Sequence, residues 1–203
     1  CDNLPPEVET PFDELCVVAG DTVEFDVTAT APLIESNQKV RLTALGGPFE
    51  VPISPATFEP DNNTFLPQPV TKTFRWETAC EQISDQYYSV VFRAVDDFLD
   101  DTFGLAELKT VRIKVVGPPP EDVRAVSGTG EVEVSWEKPY FCEDAAFDYF
   151  RGFTVWRRIG SNTFPPDTCS PGLDGRGYIL LNAVPTIEMQ DGRYFFRDTT
   201  AEQ

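Results

Sequence analysis

The sequence predicts an all-β protein built from two tandem antiparallel β-sandwiches. Short runs of residues alternate between apolar and polar side chains, which is the pattern of half-buried strands. Eighteen prolines and 13 glycines are spread among these runs and indicate frequent turns. A length of 203 residues suits two sandwiches of about 100 residues each. A hydrophobic content of 41% is enough for two packed cores.

The first predicted module spans residues 13–117 and follows a Pro-rich, extended linker at 1–12 from a preceding module. Its clearest strand is 22–30, where every second residue is apolar. Many prolines between 48 and 70 indicate a long loop with short pieces of strand. The other strands of this module are predicted at 39–45, 70–76, 87–95 and 108–116.

A Gly-Pro-Pro-Pro run at 117–120 marks the boundary between the modules. Three prolines cannot donate to a β-ladder and favour polyproline II, so they predict a short, stiff spacer that holds the modules within a limited range of angles.

The second module, at 118–203, is predicted to be incomplete. Its strands are predicted at 123–126, 131–136, 153–158, 178–181 and 194–196, two fewer than a seven-stranded sandwich requires. An open sandwich leaves an exposed edge, which natural domains avoid. We therefore expect truncation at the C-terminus, with completion by strands beyond residue 203 or by a neighbouring subunit.

Four of the five cysteines fall into two pairs, one in each module. The predicted disulfides join Cys16 to Cys80 and Cys142 to Cys169. Closing loops of about 65 and about 28 residues would stabilise each module by roughly 4 kcal/mol. Free thiols are the alternative. Cys1 is left without a partner in this scheme. Three interpretations stay open: the tail of a preceding module, the partner of an absent cysteine, or a lipidated N-terminus.

The composition excludes several classes of function. A net charge of −18 repels nucleic acid and anionic membranes. Because the sequence has no histidine, it lacks the commonest general base and the commonest metal ligand. No apolar run is long enough to span a membrane, and no signal-peptide pattern opens the chain.

Residues 120–158 resemble the start of a fibronectin type III domain. Trp136 ends the second strand ahead of a proline, and the third strand reads Gly-Phe-Thr-Val-Trp-Arg-Arg at 152–158. The resemblance implies that Trp136 is the core tryptophan. The insert that holds Cys142 and Cys169 is not part of the general family pattern.

The first module resembles the cadherin-like and polycystic-kidney-disease-like immunoglobulin modules of bacterial surface proteins. Residues 19–30 are similar to their opening strand, and 92–97 with 110–115 resemble their closing hairpin. Together the modules look like the repeats of large Bacteroidota cell-surface proteins such as gliding-motility-associated adhesins, which are commonly exported by the type IX system. These motifs cover about half of the chain and specify fold better than activity.

One acidic cluster is a candidate calcium site. Four carboxylates at Asp96, Asp97, Asp100 and Asp101 offer the hard oxygen ligands that Ca²⁺ takes, and the resemblance implies calcium ligands in this loop. However, the Asp-Pro-x-x-Gly-Asp of related modules is replaced by Ala-Pro-Leu-Ile at 31–34. A solvated acidic loop is the alternative, and no other cofactor is predicted.

Catalytic motifs are missing from the sequence. It contains no Gly-x-Ser-x-Gly, Walker loop or dinucleotide fingerprint, and carboxylate pairs such as 13–14 and 143–144 are expected by chance among 34 acids. Trp136 lies on an inward face, whereas Trp156 shares a face with Thr154 and Arg158. Trp156 is therefore a candidate exposed contact residue, with core packing as the alternative.

These observations predict a non-catalytic structural or adhesive repeat of a secreted or surface-anchored bacterial protein, a rod or filament building block. Its expected partners are neighbouring modules, further copies of itself, and glycans or proteins of a host, prey or surface, without nucleic acid or membrane insertion. The alternative is an accessory glycan- or protein-binding module of a secreted enzyme.

Overall fold

The computed structural model describes residues 3–32, 37–98, 104–138, 140–144, 150–161, 169 and 172–201. The chain divides into two compact units, Cys1–Val116 and Gly117–Gln203. Antiparallel sheets dominate both units, which confirms the prediction of an all-β fold. Within the described residues no helix has the length and apolar character that crossing a membrane requires.

Unit 1 is a sandwich of two sheets. One sheet has the order β1-β3-β7-β5 and the other β2-β9-β8-β4-β6, which is the two-sheet order of an immunoglobulin-like fold. All neighbouring strands are antiparallel except β2 and β9. The strands are β1 Glu7–Glu9, β2 Glu14–Val18, β3 Thr22–Thr30, β4 Lys39–Gly46, β5 Thr57–Glu59, β6 Leu66–Pro67, β7 Val70–Glu77, β8 Tyr88–Asp96 and β9 Ala106–Val116, with a short helix α1 at Gly47–Glu50 and a 3₁₀ turn at Cys80–Gln82.

The predicted linker at 1–12 is in part a strand of this sandwich. β1 pairs with β3, with Val8 opposite Ala29, and the ring of Phe12 packs edge-on against Phe25 at 4.9 Å. The linker prediction is therefore wrong for residues 7–12. Three residues between prolines are too short a run to show a period of two, so only the pairing with β3 reveals the strand.

Alternation along the strands produces the core of unit 1. On β3 the residues Val23, Phe25, Val27 and Ala29 are buried and their neighbours face outward. The rings of Phe25, Phe74 and Phe92 meet between the sheets, with centroids 5.0 to 6.1 Å apart. Each such buried ring contributes about 1.5–3 kcal/mol to folding.

Unit 2 also has two antiparallel sheets, β10-β11-β15-β14 and β12-β13. Its core is an aromatic cluster in which Phe153 lies 5.0 Å from both Trp136 and Tyr194. Trp136 is 3% exposed, as its place on the inward face of its strand predicts. The strands are β10 Arg124–Ser127, β11 Val132–Trp136, β12 Trp156–Arg157, β13 Ile179–Leu180, β14 Met189–Gln190 and β15 Arg193–Asp198.

The strand predicted at 153–158 is only partly regular. Phe153 forms an isolated backbone bridge with Thr186, in which each residue donates to the other's carbonyl. At Val155 the side chain of Asn182 takes the place of a ladder partner: its Oδ1 accepts from the Val155 N–H at 2.6 Å, and its Nδ2 adds a bond to the Phe153 carbonyl at 2.9 Å. This leaves a two-residue β12.

Candidate functional site

Asp96, the last residue of β8, contacts the described residues on both sides of the acidic loop. This side chain is fully buried. Its Oδ1 accepts from the backbone N–H groups of Phe98 (3.1 Å) and Leu105 (3.2 Å), and its Oδ2 accepts from Nδ2 of Asn3 (3.1 Å). Gly104 fits here because a Cβ at that position would lie 2.4 Å from the Asp96 carbonyl oxygen. Asp96 thus links Phe98, just after β8, to Leu105, just before β9.

Asp97 holds the start of β4. Its Oδ1 accepts from the backbone N–H of Lys39 at 2.8 Å, and its own N–H donates to the Lys39 carbonyl at 3.1 Å. Asp100 and Asp101, the other two predicted calcium ligands, lie outside the described residues. Within the described part of the chain, no three metal-ligating side chains come together. The calcium site stays a prediction.

Cys16, Cys80, Cys142 and Cys169 are all disulfide-bonded. Cys16 lies on β2 and Cys80 opens the 3₁₀ turn, both in unit 1. Cys142 and Cys169 belong to unit 2, where Cys142 is 3% exposed. Each unit therefore contains two oxidised cysteines, while Cys1 lies outside the described residues.

Trp156 is half-buried on β12 and lines an apolar cavity of about 210 Å³. Its indole Nε1 donates to Oγ1 of Thr154 at 3.1 Å. Residues Val134, Trp136 and Leu173 contribute other walls. The indole is thus partly packed and partly accessible. Its predicted role as an exposed contact residue stays a prediction, with core packing as the alternative.

Three of the four carboxylates considered as catalytic acids, Asp13, Glu14 and Glu143, are engaged in ion pairs. Asp13 pairs with Lys109 at 2.5 Å and Glu14 with Arg112 at 2.6 Å. Burial acts to raise the pKa of Glu143, but hydrogen bonds from Tyr194, from the backbone N–H of Tyr140 and from Lys138 outweigh it and hold that pKa below its ordinary value. A general acid of a two-carboxylate hydrolase needs a raised pKa, and Glu143 has the opposite shift.

One unusual residue, Lys72, belongs to none of the motifs of the sequence. It occupies an inward position of β7 between Val70 and Phe74 and is 3% exposed. It lines a cavity of about 380 Å³ between β4 and β5. A lysine in a series of inward apolar residues is the sequence signal that could have drawn attention to this place.

No model of a known protein family matches the chain, and no curated protein matches its sequence. Solved structures resemble it at low identity. The sialic acid binding region of a Streptococcus sanguinis SK1 adhesin, solved with 3'sLn, is 13% identical over 67% of this chain and 45% of that chain, with a TM-score of 0.42. Domains 4 and 5 of the S-layer protein SbsC are 12% identical over 55% of this chain and 54% of that chain, with a TM-score of 0.33.

Bovine butyrophilin is 15% identical over 80% of this chain and 76% of that chain, with a TM-score of 0.34. The chain spans about half the length of the adhesin and S-layer structures that it resembles.

Proposed function

We propose that this chain is a non-catalytic structural or adhesive segment of a large secreted or surface-anchored bacterial protein, in which it is a rod or filament building block. The observation that carries this proposal is the presence of two disulfide-bonded cysteines in each unit. Such bonds persist in oxidising, extracellular surroundings and are rare in a reducing cytosol. They also keep part of each unit closed when the chain is pulled.

The ionisation of the acids supports a role without catalysis. Among the described carboxyl groups, the three whose pKa departs from its ordinary value, Asp122, Glu143 and Asp198, are all shifted downward. Each is hydrogen-bonded to an arginine or lysine. These carboxylates therefore stay ionised at neutral pH as partners of arginine and lysine side chains, which suits a structural module better than a hydrolase.

The bacterial origin and the route of export rest on the sequence. Residues 19–30 and 110–115 resemble modules of Bacteroidota surface proteins, which supports a protein of the gliding-adhesin type exported by the type IX system. The partners proposed on this basis are neighbouring modules, further copies of the chain, and glycans or proteins of a contacted surface.

Single-molecule force spectroscopy of the chain tests the structural role. With Cys16 bonded to Cys80, stretching unit 1 cannot extend the enclosed loop of about 65 residues, which corresponds to about 22 nm of chain. We expect the contour length released by unit 1 to grow by about this amount after reduction. A release that does not change on reduction would argue against a disulfide-limited, load-bearing module.

Trp156 favours a second function, an accessory module that binds glycans or proteins. The indole is accessible on one side and borders an apolar cavity with Val134 and Leu173. Aromatic side chains of this kind are frequent at the centre of binding surfaces. Loss of binding to an immobilised glycan or protein in a Trp156→Ala variant would support this alternative.

A further inference from the structure

A polar cavity opens at the edge of unit 1, between β4 of one sheet and β5 of the other. Its volume of about 380 Å³ lies at the lower end of the range for small-molecule sites. Two half-buried rings, Phe49 and Phe58, form apolar wall, while Lys72 and Asn62 supply polar groups. The cavity thus combines two aromatic walls with several polar groups, and its lining is more polar than that of the average small-molecule site.

Lys72 is fixed in this cavity with spare hydrogen-bonding capacity. Its Nζ donates to the backbone carbonyl of Asn62 at 2.6 Å and lies 5.5 Å from the ring centroid of Phe58. An ammonium group has three protons to donate. Within the described residues, the Asn62 carbonyl is the one hydrogen-bond acceptor of this group. Burial lowers the pKa of Lys72, while Asp61 and Glu59 act in the opposite direction.

In the described part of the chain, Asn62 has an unpaired acceptor, whereas Lys72 has unpaired donors. Its side-chain Oδ1 is buried and has no hydrogen-bond partner among the described residues. Buried polar atoms in folded proteins are nearly always paired, so an unpaired one requires an explanation. Asn62 lines the cavity, so a rotation of its side chain would let this oxygen accept from a donor bound there.

The donors of Lys72 and the acceptor of Asn62 together indicate which chemical groups a ligand should carry. A hydroxyl group both accepts, as Lys72 requires, and donates, as Asn62 requires. A carboxylate or phosphate accepts only; it would also face Glu59 and Asp61 in a chain of net charge −18. A cation would be repelled by the ammonium group of Lys72. The C–H face of a sugar ring suits the walls at Phe49 and Phe58.

We propose that this cavity binds a small neutral carbohydrate, with Lys72 donating to a ring hydroxyl and Asn62 Oδ1 accepting from one. The inference rests on the adhesive role proposed above and gives that role a ligand class and a place in the fold. It is independent of the Trp156 surface in unit 2.

The test is a binding series on the whole chain by saturation-transfer NMR and calorimetry. The probes are neutral mono- and disaccharides, including glucose, galactose, mannose and N-acetylglucosamine, with N-acetylneuraminic acid as the anionic arm. We expect at least one neutral sugar to bind, and Lys72→Met and Asn62→Leu each to weaken binding at least tenfold. Lys109→Met is the matched control, since Lys109 lies on β9 in an ion pair with Asp13, away from the cavity lining.

Folding does not obscure the result. Lys72→Met removes a charge that burial disfavours but leaves the Asn62 carbonyl without this donor, so the melting temperature of each variant is measured to establish that it is folded at the temperature of the binding assay. Absence of neutral-sugar binding at millimolar concentrations, binding of N-acetylneuraminic acid alone, or wild-type affinity in both cavity variants would each overturn the cavity site. Binding that is lost only in Trp156→Ala would also overturn it, while leaving the adhesive role intact.

Discussion

Arg157 on β12 and Asp198 at the end of β15 form a hydrogen-bonded ion pair that joins the two sheets of unit 2. Nη1 of Arg157 lies 2.7 Å from Oδ2 of Asp198. Asp198 is 5% exposed, and its Oδ1 accepts from the backbone N–H and the hydroxyl of Thr200. One buried carboxylate therefore ties the short β12-β13 sheet to the end of the larger sheet.

Removing Asp198 should cost more stability than removing Arg157. Asp198→Ala removes the acceptor of the Thr200 N–H and hydroxyl and leaves Arg157 Nη1 with Thr200 Oγ1 alone, and we expect a loss of about 2–3 kcal/mol in urea unfolding. Arg157→Met should cost about 1 kcal/mol, because Asp198 keeps its bonds to Thr200. Glu133→Gln, which removes an exposed pair with Arg197, should change stability by under about 0.5 kcal/mol. Equal losses for the first two variants would contradict this asymmetry.

The stability of unit 2 should fall in acid. In Glu143 and Asp198, hydrogen bonds outweigh burial and hold each pKa below its ordinary value. An unfolded carboxyl titrates near about pH 4, so the unfolded unit binds more protons there than the folded one. The stabilisation is complete above about pH 5 and is lost as the pH falls through the folded pKa values. Urea midpoints measured across this range should decline on acidification, and Glu143→Gln should flatten the decline. A steeper decline in that variant would oppose the assignment.

The strands of unit 1 could largely be predicted from alternation, because buried and exposed residues on β3 and β7 follow a strict period of two. β1 could not be predicted in this way, because its three residues form a strand only through their pairing with β3. The same limit applies to the cavity: its polar groups meet because residues after β5 fold back over Lys72. Only the inward lysine itself is visible in the sequence.

The disulfide pairs should follow the two units. We expect non-reducing peptide maps to show Cys16 linked to Cys80 and Cys142 linked to Cys169. Cys80→Ala should lower the stability of unit 1 by about 4 kcal/mol, because the loop that it closes is long, and leave the unfolding of unit 2 unchanged. Cys142→Ala is the reciprocal variant. A peptide that links cysteines of different units would refute this pairing.

Trp156 should dominate the accessible tryptophan fluorescence. Trp76 and Trp136 are 0% and 3% exposed, whereas Trp156 is half-buried. Acrylamide should therefore quench mainly Trp156, and Trp156→Phe should remove most of the quenchable emission. Trp76→Phe serves as the control and should leave that quenching in place. Strong quenching that survives Trp156→Phe would show that the indole is packed away.

Asp96 should stabilise unit 1 without calcium. Its carboxylate accepts from Asn3 and from the backbone N–H groups of Phe98 and Leu105. Asp96→Ala removes three partly buried hydrogen bonds at once, and we expect a loss of about 2–4 kcal/mol in thermal or urea unfolding, even with EGTA present. Asp97→Ala removes one bond, to the N–H of Lys39, and should cost about 1 kcal/mol. If the wild-type chain instead loses this stability on adding EGTA, the loop is held by a bound cation and Asp96 is one of its ligands.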